Sequence, residues 1–240
     1  MTPECYLTFI MEVIITGIEK IVKDEIATSI EKALKTKIHL PPTLTVYETK
    51  LQENQKIVRG MYKPDTKEII LTKGHWCRKT LIHETLHAAS YFSQKEYERL
   101  NEKIRILIEG MTEFLQGYIM YKEYPECYKA WVNQKYPICS LPITYEPATQ
   151  AFAALARHVP IREITKLYIW QPNTNWHTQY KKFLNKYNIE DVILTKKAKI
   201  KINITYTFIN ALTKTFGNEI KELIYQAPTE TCLNYSEMKE

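Results

Sequence analysis

From Met11 to Leu34 the apolar residues Ile14, Ile18, Ile21, Val22, Ile26, Ile30, Ala33 and Leu34 recur at three- and four-residue intervals, with Lys and Glu between them. That spacing draws one apolar stripe along an amphipathic helix. The prolines of "HLPPT" (His39–Thr43) end it. The period then drops to two. "TLTVYE" sets Leu44 and Val46 against polar neighbours, and "KIVRGMY" and "KEIILT" flank "KPDT". Pro-Asp is turn chemistry, so Ile57–Tyr62 and Lys67–Leu71 are predicted to form a hairpin. Helical spacing returns near Arg78 and runs to about Phe92. Ser93, with Glu96 three residues on, matches a capping box opening the next helix. That helix is predicted over Gln94–Tyr121, with an apolar face of Tyr97, Leu100, Ile104, Leu107, Ile108, Met111, Leu115 and Ile119.

The second half is less patterned. "YPECYKAWVNQKYPICSLPITYEP" carries four prolines and reads as a linker or irregular segment. Pro147–Arg157, Ile161–Trp170 and Trp176–Tyr187 read as short helices, Lys196–Lys201 as a basic connection, and Thr205–Tyr225 as a final helix. The last dozen residues are polar and are expected to fray. The expected class is α+β, with a core over residues 1–124. A mostly helical region over 125–240 is expected to pack on or near any cleft in that core.

Composition narrows the class. The chain has 240 residues, 45% hydrophobic and 25% charged, enough for a real core. The net charge of +6 is spread over scattered lysines, which reads as a solvated surface and not as a nucleic-acid footprint. The five cysteines, Cys5, Cys77, Cys127, Cys139 and Cys232, form no C-x-x-C pair and are odd in number. A zinc ribbon and a disulfide scaffold are therefore disfavoured, and buried thiols are favoured over a Cys127–Cys139 bridge. The N-terminal "MTPECYLTFIMEVIITGI" is apolar but carries Glu4 and Glu12, no early basic residue and no cleavage signal. It is too short and interrupted to span a bilayer. The expectation is an intracellular, cytoplasmic chain with no membrane partner.

One stretch carries chemistry. In "TLIHETLHAASYF" (Thr80–Phe92), His83 and His87 lie four residues apart with Glu84 beside the first. On a helix, residues i and i+4 share a face, so both imidazoles can address one metal ion while Glu84 reaches a water on it. The apolar flanks Leu81, Ile82, Leu86, Ala88 and Ala89 mark a buried helix, where two histidines and a carboxylate without a shared partner are costly. A catalytic zinc needs a third ligand and an open position. Glu109, in "LIEGMTEF" on the next helix, is the best placed. Glu113, one turn on, faces the same way and can orient a ligand histidine.

"HETLH" followed by "EGMTE" resembles the gluzincin branch of the zincin metallopeptidases, and more narrowly the small soluble minigluzincins. The order helix, strand, hairpin, motif helix, glutamate helix is similar to theirs over residues 11–122. The resemblance implies a small twisted sheet with a backing helix, one catalytic Zn2+ ligated by His83, His87 and Glu109, and Glu84 as general base and acid. The activity implied is peptide hydrolysis by a zinc-bound water. A peptide or protein substrate is implied to lie extended beside an edge strand, near Lys67–Leu71 or Ile57–Tyr62. Many gluzincins add a Tyr or His to stabilise the oxyanion. No motif places one here, and Tyr145, His158 and His177 are candidates by residue type alone. The competing expectation is a catalytically silent or latent zincin-like binding or regulatory protein.

Overall fold

The computed structural model describes residues 17–49, 52–53, 56–93, 98–132, 146–193, 201–225 and 235–239. It is mixed α+β, a small sheet accompanied by many helices. Contacts divide the chain into two compact units, Met1–Lys95 with Gln116–Leu141, and Glu96–Leu115 with Pro142–Glu240. No helix among the described residues is long and apolar enough to cross a membrane.

The first unit opens with helix α1, α-helical at Ile18–Lys20 and Ala27–Leu34 around a π-helical stretch, Ile21–Ile26. Its stripe of Ile21, Val22, Ile26, Ile30, Ala33 and Leu34 is buried, as the spacing predicts. The part of that helix predicted over 11–16 lies outside the described residues. The helix stops at Lys35, which turns left-handed at φ 50°, before the prolines are reached.

Strands β1 (Thr45–Thr49), β4 (Gly60–Lys63) and β5 (Glu68–Thr72) form one sheet in the order β1-β5-β4. A separate small pair joins β2 (Gln52–Glu53) to β3 (Lys56–Ile57). The predicted hairpin is present: β4 runs antiparallel to β5, with Lys63 opposite Glu68 across the Pro64–Lys67 turn. Lys67 takes the left-handed place in that turn at φ 57°. The first predicted strand, Ile57–Tyr62, is broken at Val58 and Arg59, so only its end joins the sheet. Because β1 pairs parallel to β5 on the other side, β5 is the central strand, and Ile69, Ile70 and Leu71 are buried. An alternating strand buries one face; a central one under helices buries both, which explains this apolar run.

Helix α2 (Arg78–Ala89) carries the histidine motif, and a buried 3-10 turn, Tyr91–Ser93, follows it. Helix α3 (Glu98–Glu123) departs from helical geometry at Ile104, and the division between units falls within it, after Leu115. Its predicted start and capping box at 94–97 lie outside the described residues. In the first unit a polar cluster ties α1, α2 and the end of α3 together. Arg78 pairs with Glu25 at 2.9 Å and lies over the Tyr124 ring at 4.5 Å, while Tyr124 shares a 2.6 Å hydrogen bond with Ser29. The prolines after Tyr124 predict a linker or irregular segment, yet Pro125–Val132 is helix α4. Proline suits the first helical position, where its missing N–H costs nothing. Cys77 and Cys127 are buried.

The second unit contains α5 (Glu146–His158), α6 (Ile161–Tyr168), α7 (Trp176–Tyr187), α8 (Lys201–Phe216) and α9 (Glu219–Tyr225). The three short helices stand where the spacing predicts them. The single final helix is two, broken at Gly217, whose φ of 99° a side chain rarely adopts. The basic connection predicted at 196–201 lies largely outside the described residues. The chain end is not frayed where it is described: Lys239 donates to Ala156 O, Ile161 donates to Lys239 O, and Tyr235 and Met238 are buried.

Ile69 has no exposed surface at the centre of the sheet. Ile69→Ala is expected to cost about 2–5 kcal/mol, read as a lower urea midpoint with unchanged slope.

Candidate metal centre

Local chemistry sets the ends of α2. At its start Thr80 Oγ1 accepts the Cys77 N–H at 3.4 Å, which caps a free backbone donor. At its end Ser90 turns extended and gives both its N–H and its hydroxyl to the His87 carbonyl, at 3.2 and 2.8 Å. Lys67 reaches from the hairpin turn to the Ser93 carbonyl at 2.8 Å, fastening the sheet to the turn after α2.

His83 and His87 stand one turn apart with their rings edge to face, 4.8 Å between centroids. Their Nε2 atoms are 3.1 Å apart. Nδ1 of His83 meets Gln116 Oε1 at 3.0 Å. An amide oxygen only accepts, so Nδ1 carries the proton and Nε2 presents its lone pair to His87. For a tetrahedral ion with bonds of 2.0–2.1 Å to nitrogen, neighbouring ligand atoms are roughly 3.3 Å apart. The two Nε2 atoms already stand near that edge length.

The ligand atoms of His83, His87 and Glu109 all lie within 4.8 Å of one another, and the three residues are half-buried. Glu109, Glu113 and Gln116 recur at four- and three-residue intervals, so they share one face. Glu84 is 6% exposed. It is approached by the backbone of β4: a Cβ added at Gly60 would stand 2.6 Å from Thr80 Cγ2, 3.1 Å from Glu84 Cγ and 3.2 Å from Glu84 Oε1. On the same strand burial pushes the Tyr62 phenol up to about 12, against the lowering effect of the Ser93 hydroxyl, so it stays neutral near pH 7.

The remaining candidates have other surroundings. Glu113, expected behind a ligand histidine, accepts from Thr149 Oγ1 at 3.1 Å. His158 ends α5, paired with Glu219 at 3.1 Å and stacked on Phe216. His177 is exposed on α7, edge to face with Trp176. Neither belongs to the cluster of His83, His87 and Glu109, and Tyr145 lies outside the described residues. Gln116 and Gly60 were missed in the sequence. Gln116 was findable, since it lies seven residues after Glu109 and so on the same face; a lone glycine opening a strand carries no such signal. No protein-family model, no curated protein and no solved structure matches the chain.

Gly60→Ala forces a methyl group against Thr80 and Glu84. The expected cost is about 1–3 kcal/mol, read as a lower denaturation midpoint.

Proposed function

We propose that the protein is a zinc-dependent peptidase of gluzincin type, with His83, His87 and Glu109 holding the ion and Glu84 as general base and acid. The observation that carries this reading is the convergence of those three ligand atoms within 4.8 Å, with Glu84 next in the chain to the first ligand. The donor set, two imidazoles and one carboxylate, is that of catalytic zinc, which keeps one position open.

Zinc in this place supplies Lewis acidity, polarising a carbonyl and bringing the pKa of a water from about 15.7 toward roughly 7. The chain's own groups do the rest. Gln116 fixes the His83 ring so that Nε2 is the ligand atom. Glu84 takes the proton of the attacking water and passes it to the leaving amine. Its low exposure limits competing solvent. Strand β5 is paired on both sides, so an extended substrate has no place along it. Among the described residues β4 is paired on one side only, and it lies beside Glu84. A peptide adding to β4 gains main-chain hydrogen bonds with little demand on its sequence.

The test is peptide-library cleavage by the zinc-loaded full chain. Glu84→Gln is expected to keep zinc and lose turnover by at least about a hundredfold, the lower range of general-base contributions. His83→Ala, His87→Ala and Glu109→Ala are expected to lose zinc, measured as metal per chain. A zinc-loaded wild-type chain that cleaves no peptide would favour the silent, binding-protein reading, and full activity in Glu84→Gln would remove that residue's role.

Gln116→Leu leaves Nδ1 of His83 without its acceptor. Zinc affinity is expected to fall about 10- to 100-fold, measured by competition with a chromogenic chelator.

A further inference from the structure

The segment of α3 that carries Glu109 is built into the helical unit at closely fitted points. Gly110 lies against α5: a Cβ there would stand 2.4 Å from Ala148 Cβ, 2.9 Å from Ala148 C and 2.9 Å from Thr149 N. Two of those atoms are helix backbone, which cannot swing aside as a side chain can. In the turn of α3 that follows this contact, polar groups set the same fit. Thr112 Oγ1 and Tyr168 Oη share a buried 2.6 Å hydrogen bond, Thr149 donates to Glu113, and Tyr235 donates to Phe114 O at 3.2 Å. Helix propensity alone favours alanine over glycine in mid-helix, so a glycine here needs a reason in packing.

We infer that Gly110 is a positioning residue for the metal centre: its missing side chain lets α3 seat against the backbone of α5 and so places the adjoining Glu109. This rests on the reading of His83, His87 and Glu109 as ligands. The effect is selective because ligand distances tolerate only about ±0.2 Å, whereas room for a methyl group requires a larger shift of the helix.

The experiment measures zinc affinity of the full chain by chelator competition, with the visible absorption of the cobalt-substituted protein as a report of ligand geometry. Gly110→Ala is expected to bind zinc about 10- to 100-fold more weakly, the range for changes in ligand support, with an altered cobalt spectrum. Adding Ala148→Gly to it should recover part of the affinity. Leu212→Ala, which empties a fully buried site on α8, should lower the melting temperature and leave affinity within twofold of wild type. Should Gly110→Ala not fold, Ala148→Ser enlarges the same contact from the α5 side and carries the same expectation. Unchanged affinity in the folded variants at this contact, or an equal loss in Leu212→Ala, would overturn the inference while leaving the ligand reading intact. A wild-type chain that takes up no zinc would overturn both.

Discussion

Two imidazoles one helical turn apart can hold one metal ion only if each ring is kept with the correct nitrogen facing inward. Free rotation would scatter those lone pairs, and the entropy of ordering them would fall on the metal. Here Gln116 holds His83 at Nδ1, and the Nε2 atoms of His83 and His87 face each other at 3.1 Å. Much else in the fold follows from keeping that face aligned. The capped ends of α2 fix its length, and the Arg78, Glu25, Tyr124 and Ser29 cluster fixes it against α1 and the end of α3.

Glycine acts at two places where backbone must approach closely. At Gly60 the sheet comes up to the side chain of Glu84, and at Gly110 helix α3 comes down on helix α5. Neither glycine sits in the left-handed region, so the requirement is one of space and not of backbone torsion. Both lie next to a residue of the proposed centre, Glu84 across space and Glu109 along the chain. Tight backbone approach leaves little slack, which suits groups that must keep their distances while charge shifts nearby.

Periodic segments were legible in the sequence, and so was the motif. The stripe Ile21–Leu34, the Pro64–Lys67 turn and the helices at 146–158, 161–168 and 176–187 all follow from spacing and turn chemistry. Glu109 was proposed beside the two histidines from its place on the next helix, and the three offer ligand atoms within 4.8 Å of one another. Other features were not. The break of the last helix at Gly217 depends on one backbone torsion. The anchoring of Tyr235 and Lys239 depends on partners far back in the chain, Phe114 and Ala156. The position of β5 as the central strand depends on a parallel pairing with β1 that no local pattern encodes. Glu113 accepts from Thr149, a residue 36 positions on that no local spacing foresees.

The most direct measurement is the metal content of the full chain, by plasma mass spectrometry on protein purified without chelators or a metal-affinity column. The account predicts about one zinc per chain, as a site with three protein ligands retains. A chain that retains none, and takes up none when zinc is added, would contradict it, and the two histidines would then be ordinary members of a buried helix.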